Sequence, residues 1–479
     1  MTTSLDPGEL DAHPFAAAPQ GAAGTDADAD ADVAAGSPLA GRTFCIQTFG
    51  CQMNEYDSDR MAERLLASGM KRAATLEAAD LAILNTCAVR EKPSHKVVSL
   101  LGRLKPAREG KRQRLAVAGC VAQHQKQALL RQVPWLDLVL GPDAIARLPA
   151  LAARAFAGER VCDTSFGDRH GYLFPRADPE TVRGQASALV TVMKGCNNGC
   201  AYCVVPRTRG REQSRPLAEI IDEVRGMASV GVREVVLIGQ NVNSFDGGGS
   251  FAELLAAVSE VEGIARIRFT TSNPHDLGDD LVRAFAQLPK LMPSFHLPVQ
   301  SGSDRVLAKM RRGYTVADYL ARIDRLRAAR PDIALTTDII AGFPGETEAE
   351  FEETIELCRK VRYENVYSFI FSPREGTSAA LHEEEWGRVP HAEKVRRLEA
   401  LQAIARDISL DCARAQVGRA VEVLVEGTSK TRPDRLFGRT PEARTVNFEG
   451  SARAGELVQV EIASATANAL FGVQRGPRP

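Results

Sequence analysis

The sequence predicts an α/β protein with three parts: an amino-terminal open parallel α/β domain, a partial (β/α)6 TIM-like barrel and a small carboxy-terminal β-barrel. Short apolar or β-branched runs alternate with helical stretches along most of the 479 residues, which indicates parallel sheets. A segment rich in Gly, Pro and Asp interrupts this alternation once. Near the carboxyl terminus the helical period gives way to short alternating strands, which is typical of a small β-barrel.

These changes of pattern divide the chain into five regions. We expect a disordered acidic tail at 1–41, the first α/β domain at 42–163, a linker at 164–185, the barrel at 186–416 and the small β-barrel at 417–479. The tail has seven acids, no Lys or Arg and few large apolar residues, so it buries too little surface to offset the entropy of ordering. Because the chain lacks a leader pattern and an apolar run of about 18 residues, we expect a cytoplasmic protein without a membrane span.

The first α/β domain is predicted from alternating strand and helix patterns. Its predicted strands are Thr43–Thr48, Leu81–Asn85, Leu115–Ala118 and Leu138–Leu140, and its predicted helices are Ser58–Ser68 and Ala88–Arg108. Such alternation predicts parallel pairing, and residues just beyond the strand ends then converge on one crevice.

The barrel and the terminal β-barrel follow in the same way. The predicted barrel strands are Leu189–Met193, Glu234–Ile238, Arg266–Thr271, Ser294–Val299, Leu335–Ala341 and Val366–Phe371, and its clearest helices are Leu217–Ala228, Val316–Ala329 and Glu348–Val361. The predicted terminal strands are Val421–Val425, Leu436–Arg439, Val446–Phe448 and Leu457–Ile462. Six β/α units favour a barrel, or an open part of one, with its chemistry at the carboxyl ends of the strands.

Three cysteines form a C-x3-C-x2-C motif directly after the first barrel strand: Cys196, Cys200 and Cys203. A structural zinc site normally takes four protein ligands, and neither a fourth Cys nor a His lies close by. Three thiolates on a 4Fe-4S cluster instead leave one iron open for another ligand. The alternative is a zinc site that a distant ligand completes.

A second group of three cysteines lies in the first domain: Cys51, Cys87 and Cys120. Each follows a predicted strand, so the three can meet in one crevice. Cys87 also opens a predicted helix, whose dipole favours a thiolate. The alternative is three unrelated buried cysteines. The other cysteines match no motif and are expected to be core or surface residues: Cys45, Cys162, Cys358 and Cys412.

The segment Lys194–Pro206 resembles the cluster loop of the radical S-adenosylmethionine (SAM) enzymes. The resemblance implies that the open iron binds the amino and carboxylate groups of SAM and reduces it to a 5'-deoxyadenosyl radical. Thr48–Asn54, Asn85–Cys87 and Gly119–Cys120 resemble the amino-terminal domain of the methylthiotransferases. That resemblance implies an auxiliary 4Fe-4S cluster on the second cysteine trio, whose open iron carries the sulfur to be inserted.

The stretch Cys203–Arg215 is similar to the MiaB-type tRNA methylthiotransferases, and the terminal barrel resembles the TRAM nucleic-acid-binding module. The resemblance implies methylthiolation at C2 of the isopentenyladenosine beside the anticodon (position 37) of tRNA, and it implies a sulfur donor and an electron donor. We expect a monomer. Sister families modify threonylcarbamoyl-adenosine in tRNA or a ribosomal-protein aspartate. A non-catalytic iron-sulfur or zinc RNA-binding protein is the alternative of another class.

Further loops resemble family stretches around the cofactor. The SAM contacts that this resemblance implies are Gly239, Gln240, Asn241, Gln300, Ser301, Asp338 and Gly342. The amide oxygen of Asn241 can accept a hydrogen bond from the SAM ammonium group. Without the resemblance, these loops would be ordinary Gly/Pro turns.

Positive charge predicts where RNA binds. The segment 42–163 has 19 basic and 12 acidic residues, and Arg90–Arg114 alone has nine Lys or Arg against two acids. The arginines expected to bind RNA phosphates are Arg207, Arg209, Arg211, Arg432, Arg435 and Arg439. Arg215, Lys430 and Arg444 extend the same clusters. Solvated charged faces are the alternative, and small basic barrels can bind single strands or loops.

Overall fold

The computed structural model describes residues 38–88, 97–105, 113–166, 174, 176–429 and 432–476. Nearly all of the acidic tail predicted at 1–41 lies outside the described residues, and so do Lys430 and parts of Arg90–Arg114 and of the linker predicted at 164–185. The predicted fold class is confirmed: parallel α/β sheets are followed by a closed β-barrel.

The amino-terminal sheet has six strands, all parallel, in the order β2-β1-β3-β4-β5-β6. Its strands are β1 Thr43–Phe49, β2 Lys71–Arg72, β3 Leu81–Thr86, β4 Arg114–Gly119, β5 Leu138–Leu140 and β6 Val161–Asp163. The four predicted strands are present. The sequence pattern missed β2 and β6, which are edge strands of only two and three residues.

The three central strands of this sheet end at the same level. Phe49 of β1 pairs with Thr86 of β3, and Thr86 pairs with Gly119 of β4. The residues that follow these ends therefore lie side by side at one edge of the sheet.

Helices cover both faces of the amino-terminal sheet. Its helices are Gln52–Ala67, Cys120–Gln125, Gln127–Gln132 and Leu148–Phe156, and a helical segment lies at 97–105. Leu81 and Ile83 pack on one face, whereas Ala82 and Leu84 pack on the other. The helix Gln52–Ala67 starts before Ser58, where the sequence pattern predicted its first residue. Cys51 occupies the N-cap of this helix. Ser58 lies within the helix, and its hydroxyl accepts a hydrogen bond from the buried Asn85.

The central barrel has two three-stranded parallel sheets, β11-β10-β7 and β12-β13-β14. Its strands are β7 Ser187–Thr191, β10 Glu234–Ile238, β11 Arg266–Phe269, β12 Ser294–His296, β13 Ala334–Ala341 and β14 Asn365–Ile370, and a short hairpin pairs β8 Met193–Lys194 with β9 Gln213–Ser214. A single parallel bridge between Ile267 and Leu291 extends the first sheet towards the second. All six predicted strands are present.

The helices of the central part surround these sheets. They are Val205–Thr208, Leu217–Ser229, Phe251–Ser259, Asp279–Gln287, Asp304–Lys309, Val316–Ala329, Glu348–Val361, Ser378–Leu381, Glu383–Trp386 and His391–Arg414. Val316–Ala329 and Glu348–Val361 have the predicted bounds, because capping boxes at Thr315 and Thr347 fix where each helix begins.

The amino-terminal domain fills part of the barrel interior. In β10, Val235 and Leu237 pack under the outer helices, whereas Val236 and Ile238 point to the opposite side and cluster with residues of the helix Gln52–Ala67. This helix therefore covers the inner face of β7 and β10 and brings the amino-terminal sheet to the barrel.

The terminal barrel is closed in the order β15-β16-β17-β19-β18. Its strands are β15 Ala420–Thr428, β16 Leu436–Arg439, β17 Thr445–Glu449, β18 Leu457–Ala465 and β19 Leu470–Gln474. The sequence pattern missed β19, which contains a glycine and closes the barrel between β17 and β18. Arg266 and Arg268 of β11 donate hydrogen bonds to the Arg439 and Thr440 carbonyl oxygens at 2.7 Å, which fixes this barrel to the central one. Within the described part of the chain, we find no helix that is both long and apolar enough to span a membrane.

Candidate active site

Cys51, Cys87 and Cys120 lie together at the edge where β1, β3 and β4 end. Cys87 and Cys120 follow Thr86 and Gly119 directly, and these two residues are register partners. The Cys51 and Cys87 side chains form a hydrogen bond, and Cys120 is close enough to Cys51 to interact with it electrostatically. The structure thus brings the three predicted cysteines into one group, which we call the auxiliary trio.

Two glycines make this close approach possible. Gly50 has a φ of +136°, and a side chain there would bring its Cβ under 3.0 Å from the Cβ of Cys87. Gly119 has a φ of +85°, and its added Cβ would collide with the Asn85 side chain. Only glycine fits these turns without displacing the cysteines or their neighbours.

A buried amide network holds the auxiliary trio. The Cys51 thiol donates to Asn54 Oδ1 at 3.2 Å, and Asn54 Nδ2 donates to Asn85 Oδ1 at 3.0 Å. Asn85 Nδ2 donates in turn to Ser58 Oγ at 2.9 Å. Both asparagines are fully buried, so the bonds from Asn54 to Asn85 and from Asn85 to Ser58 have no competition from water, whereas Cys51 itself is exposed.

Hydrogen bonding and positive charge lower the pKa values of the auxiliary thiols, whereas burial raises them. The hydrogen bond from Cys87 lowers the pKa of Cys51 to about 6, and the positive charge of Arg209 contributes to this. Burial raises the pKa of Cys120 in spite of the same arginine. A thiol that ionises below neutral pH is suited to bind a metal or to attack an electrophile.

Cys196, Cys200 and Cys203, which we call the SAM trio after the resemblance of their motif to the radical SAM cluster loop, occupy a loop closed by the hairpin of β8 and β9. The Cys196 amide donates to the Gly210 carbonyl oxygen at 3.2 Å across the base of this loop. Gly195 has a φ of +74°, and any side chain there would collide with the backbone of Arg211. The sequence motif is thus held as a tight loop.

Cys196 is buried, and Cys200 and Cys203 are half-buried. Burial raises the pKa of Cys196 to about 11 and that of Cys203 to about 12, so these thiols keep their protons at neutral pH unless a metal binds them. Arg312 Nη1 donates to Cys200 Sγ at 3.3 Å. Among the residues that the structure describes, no group of three or more His, Cys, Asp or Glu is arranged around a single metal ion. A 4Fe-4S cluster spaces its protein ligands more widely, because each thiolate binds a different iron.

The two trios are neighbours. Val204, directly after Cys203, shares a small buried apolar cluster with Cys120 and Val121 of the amino-terminal domain. The short helix Val205–Thr208 packs on the helix Cys120–Gln125. The two trios therefore lie in adjacent, packed parts of the structure.

The loop after β10 offers unused polar atoms beside the SAM trio. Gly239, Gln240 and Asn241 follow this strand, and Gln240 Oε1 accepts from the amide of Gly195. Among the described residues, the buried Gln240 Nε2 and Asn241 Oδ1 have no hydrogen-bond partner. A donor and an acceptor left free at this place fit a ligand with both a carboxylate and an ammonium group, as SAM has.

Gln300 and Asp338 lie where β12 and β13 meet. Gln300 has a φ of +76°, which is strained for a residue other than glycine, and its amide donates to the Asp338 carbonyl oxygen at 2.9 Å. The Asp338 carboxylate is 3.5 Å from His296 Nε2, and both side chains are partly exposed. Tyr367 is the register partner of Asp338 and packs its ring edge-on to His296.

Ser301 and Gly342, which the resemblance implies as SAM contacts, lie in packed surroundings. Ser301 is fully buried, and its hydroxyl accepts from the Ser303 amide at 3.2 Å. Lys394 covers Gly342, since a Cβ there would come under 3.0 Å from the Lys394 side chain. The protein itself fills the space beside both residues.

The arginines expected to bind RNA divide into exposed and buried ones. Arg207 and Arg211 are exposed on the SAM-trio loop. In the terminal barrel, three surface ion pairs are present: Arg432 with Asp434 at 2.8 Å, Arg435 with Glu449 at 3.1 Å and Arg439 with Glu426 at 2.9 Å. Such pairs contribute little to stability, so a phosphate can replace the carboxylate.

Three arginines that we expected to bind RNA have buried side chains instead: Arg209, Arg215 and Arg444. The Arg209 side chain is 6% exposed and bonds to Asp57 and Cys120, so it is not available to a phosphate. Arg215 is fully buried against Glu223, and Arg444 is buried against Glu364. The sequence shows that each arginine has charged neighbours, but it does not show whether the side chain is buried.

Sequence reasoning missed several residues that shape the site. Arg312, which bonds to Cys200, lies outside every motif, and Asp57 is 152 residues from the Arg209 that it binds. Gln52 Oε1 accepts from Thr270 Oγ1 at 3.2 Å, which joins the amino-terminal helix to the end of β11. No local pattern marks such pairs.

Family comparisons divide the chain into three matched regions. The Radical SAM superfamily matches residues 190–358, and the TRAM domain matches residues 414–473. Uncharacterized protein family UPF0004 matches residues 43–141, which include the auxiliary trio. The Radical SAM superfamily implies an enzyme that uses a 4Fe-4S cluster and SAM.

Whole-chain relatives support the same grouping. The chain is 56% identical over 434 residues to the tRNA-2-methylthio-N(6)-dimethylallyladenosine synthase of Myxococcus xanthus (strain DK1622), covering 90% of this chain and 94% of that protein. It is 55% identical over 441 residues to the protein of the same name from Anaeromyxobacter sp. (strain Fw109-5), covering 91% and 95% of the two chains.

A solved structure shares the fold. The radical S-adenosylmethionine methyltransferase TsrM from Kitasatospora setae, with cobalamin and a 4Fe-4S cluster bound, matches with a TM-score of 0.53 at 14% identity, over 71% of this chain and 74% of that one. At that identity the likeness concerns the fold alone. From the relatives and the matched domains together, the chain belongs to the family of the tRNA-2-methylthio-N(6)-dimethylallyladenosine synthases, within the Radical SAM superfamily.

Proposed function

We propose that this protein methylthiolates C2 of the isopentenyladenosine at position 37 of tRNA, beside the anticodon, and that it uses two 4Fe-4S clusters and SAM. The observation that carries the proposal is the contact between the two cysteine trios through Val204 and Cys120. Adenine C2–H is neither acidic nor bonded to a leaving group, so substitution there needs a radical route. The names of the relatives and the TRAM domain support tRNA as the substrate.

The SAM trio provides the radical step. Cys196, Cys200 and Cys203 would hold a 4Fe-4S cluster that binds SAM, and this pair would supply the radical chemistry that removes a hydrogen atom from C2. Asn241 Oδ1 would accept a hydrogen bond from the SAM ammonium group and Gln240 Nε2 would donate one to the SAM carboxylate, because these are the unused atoms beside the loop. Arg312 holds Cys200 in place through its bond to the sulfur.

The auxiliary trio provides the sulfur. Cys51, Cys87 and Cys120 would hold a second 4Fe-4S cluster, which would supply the sulfur, and SAM would supply the methyl group. Asn54 and Asn85 fix the direction of Cys51, and Gly50 keeps the space between Cys51 and Cys87 clear of a side chain. The chain's own part is to hold this sulfur next to the carbon from which the hydrogen is removed.

The open part of the barrel receives the base. The helix Gln52–Ala67 covers the inner face of β7 and β10, and the inner face of β13 and β14 carries the partly exposed Asp338 and Tyr367. The Tyr367 side chain is exposed by nearly half, at 46%, although its neighbour Val366 is buried. An accessible aromatic ring in such a position can stack on an unstacked RNA base.

Positive charge beside the trios binds the tRNA backbone. Burial lowers the pKa of His124, Glu375 acts in the opposite direction, and the nearby charges of Arg207, Arg374 and Lys126 add to the lowering. These cations come from three separate segments, and His124 lies on the helix that Cys120 begins. Together with exposed Arg211 they form a positive surface around the site, and the terminal barrel adds further phosphate contacts.

One reconstitution tests the proposal. The protein is purified without oxygen, loaded with iron and sulfide, and incubated with SAM, a reductant and an anticodon stem-loop that carries isopentenyladenosine. We expect about eight irons per chain and 2-methylthio-N6-isopentenyladenosine by nucleoside mass spectrometry. Formation of 5'-deoxyadenosine with unmodified RNA would refute the substrate assignment. Stoichiometric zinc without sulfide would point to a binding module instead.

A further inference from the structure

Arg209 joins the two cysteine trios. It lies on the SAM-trio loop, and its Nε donates to Sγ of Cys120 at 3.3 Å. Its Nη2 donates to Asp57 Oδ2 at 2.6 Å. Cys120 and Asp57 belong to the amino-terminal domain. The guanidinium of Arg209 therefore links the SAM-trio loop to Cys120 of the auxiliary trio.

A second buried ion pair lies beside the first. Lys194 Nζ is 2.6 Å from Asp143 Oδ2, and the two side chains are 7% and 2% exposed. Lys194 precedes the SAM trio and Arg209 follows it. The SAM-trio loop is therefore fixed at both ends to carboxylates of the amino-terminal domain.

The environment of Arg209 fits a negatively charged sulfur at Cys120. A buried guanidinium is costly unless its N–H groups find good acceptors. Asp57 satisfies Nη2, but Nε points at a sulfur, which is a weak acceptor as a neutral thiol. A thiolate bound to a metal cluster is a much better acceptor for this N–H group, because it carries negative charge.

We infer that Arg209 is a positioning residue, which couples the SAM trio to a cluster on the auxiliary trio. It fixes the distance between them and places a positive charge and an N–H···S bond on the Cys120 ligand. This inference rests on the proposed function, because it requires a cluster at Cys51, Cys87 and Cys120. Positive charge and hydrogen bonds to sulfur stabilise the reduced form of a cluster and raise its reduction potential.

The test isolates the auxiliary cluster. The SAM trio is removed by replacing Cys196, Cys200 and Cys203 with Ala, and the full-length chain is reconstituted with iron and sulfide. In this background Arg209→Met is expected to shift the reduction potential of the remaining cluster to a more negative value, measured by redox titration with electron paramagnetic resonance. Arg209→Lys retains the positive charge but loses the paired N–H donors of the guanidinium, so its shift in reduction potential is smaller.

A second measurement uses the chain with both trios intact. The ratio of 5'-deoxyadenosine formed to methylthiolated nucleoside is expected to rise about tenfold in Arg209→Met, as is typical when a group that orients a metal ligand is lost. The matched control is Arg215→Lys, which changes an equally buried arginine of the same segment that bonds to Glu223 rather than to a cysteine. The control should leave the auxiliary potential as it is in the parent chain.

The outcomes separate the inference from the proposed function. An unchanged potential together with an unchanged product ratio in Arg209→Met overturns the inference, and equal shifts in Arg209→Met and Arg215→Lys also do so. If Arg209→Met does not fold, the double variant Asp57→Asn/Arg209→Met removes both charges, and the difference between its potential and that of Asp57→Asn decides the question. If Cys87→Ala still inserts sulfur, the proposed function fails whatever the Arg209 variants do.

Discussion

Arg312 Nη1 lies 3.3 Å from Cys200 Sγ, although 112 residues separate the two along the chain. Arg312 is 7% exposed, and it also donates to the Tyr314 hydroxyl oxygen at 2.9 Å and to the Pro298 carbonyl oxygen at 2.9 Å. Each cysteine trio thus has one buried arginine bonded to one of its sulfur atoms. The two arginines lead to separate predictions.

Loss of the Arg312 side chain should weaken the SAM trio. We expect Arg312→Met to lower the rate of 5'-deoxyadenosine formation by about 10- to 100-fold, because Cys200 loses the group that orients it. Iron analysis and chromatography of the nucleoside measure this effect. The control is Arg311→Met, since Arg311 is exposed and forms a long side-chain bond to Ser378 at 3.4 Å. Equal losses in the two variants would contradict this role of Arg312.

The two trios should fail in different ways. We expect Cys200→Ala to abolish 5'-deoxyadenosine formation, whereas Cys87→Ala should keep SAM cleavage and lose sulfur insertion. Both products can be measured in one reaction by mass spectrometry. Cys45→Ala is the control, because Cys45 is partly buried on β1 and belongs to neither trio. Intact sulfur insertion in Cys87→Ala would exclude the auxiliary cluster.

The turn at Gly50 should be intolerant of any side chain. An added Cβ would collide with Cys87, and the φ of +136° is unfavourable for other residues. We therefore expect Gly50→Ala to lose about half of the bound iron while SAM cleavage continues, as iron assays and 5'-deoxyadenosine analysis can measure. Gly102→Ala is the control, since nothing lies within 4 Å of its added Cβ and alanine favours the helical segment there. An iron content equal to the parent's in Gly50→Ala would count against this turn's importance.

Tyr367 should act on binding of the base. Stacking on an aromatic ring is worth about 1–3 kcal/mol per base, so Tyr367→Ala should raise the KM for the stem-loop by about tenfold. Tyr367→Phe keeps the ring and should retain the parent KM. Steady-state kinetics with the isopentenylated stem-loop measure both variants. A defect of the same size in Tyr367→Phe would show that the hydroxyl, not the ring, matters.

The exposed arginines beside the SAM trio should bind phosphate. We expect Arg207→Ala and Arg211→Ala each to weaken tRNA binding and to reduce the slope of log K against log salt by about 1. Arg225→Ala is the control, because Arg225 is exposed on the outer helix Leu217–Ser229 and pairs with Asp222 at 3.3 Å. Titrations at several salt concentrations provide the slopes, and slopes equal to the parent's would remove these arginines from the RNA surface.

Local patterns predicted much of this fold. All six strands of the central barrel were found, and the bounds of Val316–Ala329 and Glu348–Val361 matched, because capping boxes are local signals. Edge strands such as β2 and β6 were missed, since two or three residues carry no periodicity. β19 was missed for a related reason: its place in the barrel depends on pairing with β17 and β18.

The sequence by itself determined the chemistry that the site can perform. Cysteine spacing and the positions of cysteines after strands are local properties, and strand ends in a parallel sheet always converge on one edge. Only the tertiary structure decided how the trios are joined. Arg209 has the same charge in the sequence as Arg207, yet one is buried between Asp57 and Cys120 and the other is exposed. Burial depends on packing between residues that are far apart along the chain, so no local pattern separates the buried arginine from the exposed one.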